Sequence, residues 1–252
     1  MKRDTGRNVA RKVQSQTPKL QHTITAAAGT VGGVPLGRKF FEMSPEEVAP
    51  RLLGKVLVHR TDAGLMAGRI AEAEAYLGPH NEPPDPAAHT HRGPTPRNEV
   101  LFGLAGHAYV YAIYGRYFCL NVSCEAKGLA GGVLLRALEP VAGLEQMALN
   151  RGLQPDLERT DSFLRQLTSG PSRLCQALGV TRMGHNGLDV TDAGSPLQIW
   201  DDGFKASRAM VTPRIGINPA NDAVDWPLRF VLPGNACVSG PKNLKGNLIS
   251  IP

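Results

Sequence analysis

From residue 71 to residue 76 the chain reads Ala-Glu-Ala-Glu-Ala-Tyr, a period of two that only an extended strand turns into two unlike faces. Ala71, Ala73 and Ala75 line one face, and Glu72, Glu74 and Tyr76 line the other. Apolar or alternating runs at 55–59 and 66–76, separated by Asp62-Ala63-Gly64, predict a hairpin. A second hairpin is predicted over 109–113 and 117–123, closing at Tyr114-Gly115-Arg116. Further strands are predicted at 132–138, 197–200, 212–217 and 228–232, each bounded by Gly, Pro or Asp. Helical periodicity is rarer. It predicts a helix over 140–151, with Pro140 near its first turn and Val141, Leu144, Met147 and Ala148 on one side. Ser169-Gly170-Pro171-Ser172 reads as the cap and first turn of another helix running to Leu178. Residues 79–96 form one long irregular loop, where Pro83, Pro84, Pro86, Pro94 and Pro96 deny a ladder its hydrogen bonds. The pattern as a whole is mixed α/β of the α+β kind, a twisted and mostly antiparallel sheet with helices packed on it.

Neither an internal repeat nor a Ser/Gly linker divides residues 40–252, which read as one domain. Residues 1–39 differ. Lys2, Arg3, Arg7, Arg11, Lys12, Lys19, Arg38 and Lys39 face a single acid, Asp4, without hydrophobic periodicity, which predicts a disordered basic arm. Its arginines partly resemble an organelle transit peptide, but Ser15 is its only serine, so an electrostatic tail is the simpler expectation. The chain has 252 residues and a formal charge of +6, with a pI near 9.3; the excess favours an anionic partner only weakly. Cys119, Cys124, Cys175 and Cys237 show neither a C-x-x-C pair nor regular spacing, which points to a reduced compartment. The lack of a long apolar run or secretory h-region leads to the expectation of a soluble, intracellular protein without a membrane segment.

Four of the five tyrosines, Tyr109, Tyr111, Tyr114 and Tyr117, fall in one nine-residue window. With Arg116 beside Tyr114, the second hairpin would present rings and a cation at an exposed tip, which suits nucleic acid. Glu72 and Glu74 would lie about 6.6 to 6.8 Å apart along their strand. At that separation one carboxylate can raise the other's pKa, or each can find its own cation; the plainer alternative is a solvated polar face. Arg136, inside an apolar run, calls for a carboxylate or phosphate partner. His89 and His91 with the glutamates lack the spacing of a metal site, and no metal is expected. With no G-x-G-x-x-G, P-loop or G-x-S-x-G present, nucleotide cofactors and serine hydrolysis drop out; no cofactor is expected.

The chain resembles the alkyladenine (3-methyladenine) DNA glycosylases of the mammalian type. The resemblance is carried by Phe40-Phe41, Gly68-Arg-Ile-Ala-Glu-Ala-Glu-Ala-Tyr-Leu-Gly-Pro79, Ala87-Ala-His89, Thr95-Pro-Arg-Asn98, Tyr109-Val-Tyr-Ala-Ile-Tyr-Gly-Arg-Tyr-Phe-Cys-Leu-Asn121, Val133-Leu-Leu-Arg-Ala-Leu-Glu-Pro140, Ser169-Gly-Pro-Ser-Arg-Leu-Cys-Gln-Ala-Leu178 and Arg214-Ile-Gly-Ile217. It implies a single α/β domain over 40–252 with a curved antiparallel sheet and a protruding hairpin that inserts into DNA. The implied activity is base excision repair: alkylated or deaminated purines flip out and are released by hydrolysis of the N-glycosidic bond, without backbone cleavage. The implied catalytic set is Glu74 and Arg136 with the carbonyl of Ile215, which together hold a water. Tyr76 and Tyr111 match the rings that sandwich the flipped base, His89 a hydrogen-bonding pocket residue, and Asn121 the residue that crowds the exocyclic amine of guanine. Tyr114 matches the wedge; Arg116 beside it and Arg173 are expected as further DNA contacts. The implied partner is double-stranded DNA containing damaged purines, bound by a monomer. Relative to the family pattern, residues 80–86 are extra, Arg116 replaces an apolar residue of the mammalian relative, and 239–252 are unassigned. Two alternatives stand beside this reading: a lesion-binding protein of weak catalysis, and a carbohydrate hydrolase using Glu72 and Glu74 as acid and base.

Overall fold

The structure, a computed structural model, describes residues 22–26, 29–156, 158–241 and 243–251. In chain order it forms β1 (His22–Ala26), β2 (Gly29–Pro35), α1 (Pro45–Leu52), β3 (Val56–Thr61), β4 (Gly64–Tyr76), β5 (Ala108–Ile113), β6 (Tyr117–Cys124), β7 (Gly131–Ala142), α2 (Leu144–Arg151), α3 (Asp161–Thr168), α4 (Pro171–Leu178), α5 (Arg182–His185), β8 (Leu197–Asp201), β9 (Arg208–Thr212), β10 (Arg229–Val231) and β11 (Asn247–Ser250). The strands make one antiparallel sheet in the order β1-β2-β8-β3-β4-β10-β9-β11, with β7 on β4, β6 on β7 and β5 on β6. The mixed α/β class read from the sequence is the class observed.

The alternating run is the hub of this sheet. The first half of β4 pairs with β3 (Val56↔Arg69), its last residues pair with β10 (Arg229↔Glu74), and its other edge follows β7 to Tyr76↔Gly132. Ala71, Ala73 and Ala75 join the main core, their small side chains letting Val48 and Leu52 of α1 pack close. Fully buried Leu52, Leu57, Leu135, Leu138 and Met147 add to the same core, each stabilising the fold by about 1.5–3 kcal/mol. The β4–β7 ladder shifts register three times, once between Ala67 and Gly68 and twice around Glu72, where it pairs Ile70 with Leu138, Glu72 with Ala137 and Ala73 with Leu135. It thus skips Ala71 on one strand and Arg136 on the other. Bulges of this kind re-aim side chains, and here they bring Arg136 onto the glutamate face.

Several expectations need correction. Pro140 and Val141 belong to β7, not to a helix; Pro140 pairs with Gly68 at a register shift, where its missing N–H costs the ladder least. The helix begins only at Leu144, after Gly143 turns the chain at φ 72°. The strand predicted over 212–217 stops at Thr212, because Pro213 cannot donate, and 213–217 instead loop over the end of β4. Helices α1, α3 and α5 and strands β1, β2 and β11 are additions, and β9 lies almost wholly ahead of the strand predicted at 212–217. The arm predicted over 1–39 is shorter at its far end: β2 pairs with β8 (Pro35↔Trp200), Leu36 N donates to Ile199 O at 2.8 Å, and Arg38 forms an ion pair with Asp189. Residues 1–21, with the remaining arm charges apart from Lys39, lie outside the described residues.

Candidate active site

The two glutamates are fully buried, which overturns the solvated-face reading. Glu74 Oε1 accepts the Ile215 N–H at 2.8 Å; Oε2 accepts the Tyr76 hydroxyl at 3.0 Å and Arg136 Nη1 at 3.2 Å. Glu72 Oε1 accepts Arg136 Nε at 2.9 Å, Arg229 Nε at 2.7 Å and the Ser239 hydroxyl at 2.8 Å, while Oε2 accepts the Ser239 N–H at 2.7 Å. Of the two options, a separate cation for each carboxylate is not realised, since both share Arg136 and Glu72 has Arg229 as well; the other is, the Glu72 charge raising the Glu74 pKa. Burial is the largest influence on both, yet their pKa values part. In Glu72 the two guanidiniums and the Ser239 N–H outweigh burial and hold the carboxyl below its usual range. In Glu74 burial prevails over Arg136 and pushes the carboxyl up. Two neighbouring carboxyls with divergent environments are the arrangement from which one emerges as a proton acceptor.

Tyr76 joins this network to a cavity of about 170 Å³, which is also lined by His89, Tyr109, Tyr111, Asn121 and Leu101. Burial, reinforced by Glu74, raises the Tyr76 phenol well above its usual value, so it stays protonated and donates. The His89 and Tyr111 ring centroids are 4.5 Å apart, and those of Tyr109 and Tyr111 5.4 Å. His89 Nδ1 lies 2.9 Å from the Tyr109 hydroxyl. Burial and the Arg97 charge lower the His89 pKa, leaving a neutral ring with one donor and one acceptor for hydrogen bonding. Asn121 donates from Nδ2 to the Tyr109 carbonyl at 3.2 Å, which fixes its amide at the wall. Flat rings with a few polar edges suit a heteroaromatic ligand. A larger cleft of about 370 Å³, between α3 and residues 231–244, is lined by none of the residues the sequence selected.

Residues 80–86 are anchored ahead of His89 through one buried side chain. Asp85, fully buried, accepts Arg214 Nη1 at 2.6 Å and Nη2 at 2.9 Å, the Leu77 N–H at 3.1 Å and the Ala87 N–H at 3.0 Å. Arg214 also donates to the Ala75 carbonyl at 3.0 Å and lies 4.5 Å over the Tyr76 ring. One ion pair therefore fastens the loop, the back of Tyr76 and the segment bearing Ile215. Asn98, donating to the His89 carbonyl at 2.8 Å, closes the far end of the loop.

The second hairpin carries Tyr114 at its tip, 90% exposed, with Tyr114 at φ 50° and Gly115 at φ 72°. Arg116 sits 4.9 Å over the Tyr117 ring. Arg173 is exposed on the first turn of α4, whose N–H at Gly170 is held by the Arg136 carbonyl at 2.9 Å. Burial and the Arg173 charge lower the pKa of neighbouring Arg151, which also feels Tyr117. The structure thus gathers Glu74, Arg136 and Ile215; lines one cavity with Tyr76, His89, Tyr111 and Asn121; and leaves Tyr114, Arg116 and Arg173 outside it. Ile215 reaches Glu74 through its N–H. Sequence reasoning gave no role to Arg229, Ser239, Asp85 and Arg214, whose partners lie far along the chain, although Arg214 opens a motif that carries the resemblance. Tyr109 it noted only as one of a cluster. Among the described residues no three His, Cys, Asp or Glu side chains converge as a metal site, and no helix is long and apolar enough to cross a membrane.

Residues 39–236 match the family described as methylpurine-DNA glycosylase (MPG). A protein of Koribacter versatilis, provisionally named 3-methyladenine DNA glycosylase, is 52% identical over 210 residues, covering 83% of this chain and 95% of its own. Proteins under the same provisional name from Methanoculleus marisnigri and Alkaliphilus oremlandii are 45% and 40% identical, covering 79% and 81% of this chain and 96% and 98% of their own.

Proposed function

The chain belongs to the methylpurine-DNA glycosylase family and is a DNA glycosylase of base excision repair, and from that premise we propose that Glu74 activates a water to release a damaged purine held in the aromatic cavity. The observation that carries this reading is the state of Glu74: buried, pushed up in pKa, and one hydrogen bond from a tyrosine of the cavity wall. A carboxyl whose affinity for a proton is raised by burial is, in its ionised form, an effective general base.

The lesion, an alkylated or deaminated purine, turns out of the duplex and enters between Tyr76 and Tyr111, with His89 bonding its edge and Asn121 crowding a normal guanine amine. Tyr114 fills the gap left in the stack, offsetting an unstacking cost of a few kcal/mol. Arg116 and Arg173 meet phosphates. Water, held by Glu74, Arg136 and the Ile215 carbonyl, attacks C1′ of the sugar; its proton passes to Glu74, the C1′–O bond forms, and the C1′–N bond breaks with its electron pair leaving on the purine. A purine methylated at N3 or N7 already carries positive charge and departs neutral, whereas an uncharged lesion such as hypoxanthine or ethenoadenine departs as an anion and takes up a proton from solvent. The ionised Glu74 also stabilises the positive charge that develops on the sugar. No enzyme amine takes part, so the backbone stays intact. The site is complete within one chain, which supports action as a monomer wherever the cell's DNA lies.

Single-turnover excision from duplexes carrying 3-methyladenine, 7-methylguanine, hypoxanthine or ethenoadenine tests the reading. Glu74→Gln is expected to abolish release from every duplex while keeping lesion affinity within about threefold, because the carboxylate acts in the transition state. Retained release would remove Glu74 from the reaction, and release of no base by the wild type would leave a lesion-binding protein.

A further inference from the structure

Glu72 has no part in the reaction proposed above, yet it is fully buried and takes four donors. Its position relative to Arg136 gives it a task. A guanidinium beside a single carboxylate settles into a two-bond fork. Arg136 makes no such fork with Glu74: it gives Glu72 the short Nε contact at 2.9 Å, Glu74 one Nη1 contact at 3.2 Å, and the Ser239 hydroxyl an Nη2 contact at 3.4 Å. Glu72 is in turn clamped from the far side. Arg229 on β10 donates Nε to it at 2.7 Å, Nη2 to the Ser239 carbonyl at 2.8 Å and Nη1 to the Thr212 hydroxyl at 3.2 Å. The Ser239 N–H and hydroxyl complete the clamp. Two carboxylates and two guanidiniums balance in a space closed to water, where an uncompensated charge would be costly.

We infer that Glu72, clamped by Arg229 and Ser239, is a positioning residue that draws Arg136 off Glu74, so that the base keeps its affinity for a proton and the Nη donors of Arg136 stay loosely held for the water. The inference rests on Glu74 being the base. Glu74 is faced by Arg136 from β7, Glu72 and Tyr76 from β4, the Ile215 N–H from the loop, Tyr111 from β5 and Cys119 from β6. Of these, Glu72 and burial raise it, whereas Arg136, Ile215 and Tyr76 lower it. Removing the Glu72 charge deletes a raising influence and frees Arg136 to fork onto Glu74. Both effects drop the Glu74 pKa. A base works ionised and fails below its pKa, so the acid limb of the rate profile moves to lower pH, while the weaker base and the engaged guanidinium lower the plateau.

The test is single-turnover excision across pH on the best substrate of the lesion panel, with duplex affinity and thermal melting measured for each variant. Glu72→Gln is expected to lower the plateau about tenfold or more, with lesion affinity within about threefold of wild type. Its acid limb should move down by about half a pH unit or more. Glu72→Asp, which keeps the charge but shortens the reach, should lose plateau rate and keep the wild-type limb. A limb unmoved in Glu72→Gln, or moved equally in Glu72→Asp, overturns the inference. If Glu72→Gln does not fold, Ser239→Ala decides. It deletes the hydroxyl that donates to Glu72 and accepts from Arg136, and a plateau within about twofold of wild type would refute positioning. Glu74→Gln is run alongside: if it retains activity, the assignment of the base has failed, whatever the Glu72 variants do.

Discussion

Replacing Asp85 by Asn leaves the shape of the loop anchor and removes its charge. The consequence follows from the groups around it. Arg214, fully buried, loses its two-bond partner and keeps only the Ala75 carbonyl and the Tyr76 face; its Nε already lacks an acceptor among the described residues. One amide oxygen must now serve the Leu77 and Ala87 N–H groups, and the amide NH₂ points at a guanidinium. Breaking a buried pair from one side costs about 3–5 kcal/mol, chiefly because the other charge stays buried. Against a total stability of about 5–15 kcal/mol, that is a large share. With a urea m-value near the upper end of the usual range, about 3 kcal/mol/M, the unfolding midpoint should fall by about 1–2 M. Because Arg214 backs the Tyr76 ring and Asp85 leads directly into His89, excision measured at a temperature where the variant is folded should drop about tenfold or more, equivalent to roughly 1.4 kcal/mol of positioning. The double variant Asp85→Leu/Arg214→Met removes both charges and should recover part of the stability. It cannot recover all, since two buried N–H groups are left without their acceptor at about 1–3 kcal/mol each. A midpoint shift below about 0.3 M for Asp85→Asn, or a double variant less stable than the single ones added together, would refute the account of a buried pair knotting this loop.

Tyr114→Ala is expected to weaken lesion-duplex binding and slow excision by about tenfold or more while sparing a single-stranded substrate, because only a duplex leaves a gap to fill; equal losses on both would make Tyr114 structural. Deleting residues 1–21 removes Lys2, Arg3, Arg7, Arg11, Lys12 and Lys19, and should flatten the plot of log affinity against log salt by about 0.9 for each phosphate those side chains neutralise, with the chemical step unchanged; parallel plots would leave that segment without a part in DNA binding. A third expectation concerns acid stability. His59 Nδ1 lies 2.7 Å from the Leu178 carbonyl and its Nε2 3.0 Å from His185 Nε2, while His185 Nδ1 accepts the Thr181 N–H; burial holds both imidazoles below the ordinary 6.5. Above that value neither state binds a proton; below it the unfolded chain does and the fold does not, so stability falls from pH 6.5 down to the folded values. Thermal melts should show that slope, and His59→Gln should shrink it; an unchanged slope would place the proton uptake elsewhere.

The parts of the molecule legible in the sequence are those with local causes. Period-two alternation located β4 and both glutamates, and the Tyr-Gly-Arg tip located the second hairpin. Two further elements carried readable signals: Ser44 and Glu47 form a capping box ahead of Pro45 in α1, and Thr160 caps α3 by accepting the Phe163 N–H. Pro140 misled because proline serves both a helix's first turn and a bulged strand, and only the pairing with Gly68 decides. For the site, motif resemblance supplied the cavity residues, but nothing near Glu72 distinguishes it from Glu74. That difference is made by Arg229 and Ser239, more than 150 positions away, the serine in a segment the sequence left unassigned. Likewise nothing local in residues 80–86 marks Asp85 as the partner of Arg214.

Tyr114 and Gly115 both hold left-handed backbone at the hairpin tip. Glycine adopts that geometry freely and asparagine tolerates it, but a tyrosine gives up about 1–2 kcal/mol there. Any search that scores variants by melting temperature alone will therefore favour Asn or Gly at 114 and deliver a sturdier protein with a blunt tip. With Tyr114 as the wedge proposed above, thermostability and repair would pull against each other at this one position. A hardened version of the enzyme has to find its gains elsewhere, in the caps, the exposed faces of α2 and α5, or the outer strands, with residue 114 excluded from the screen.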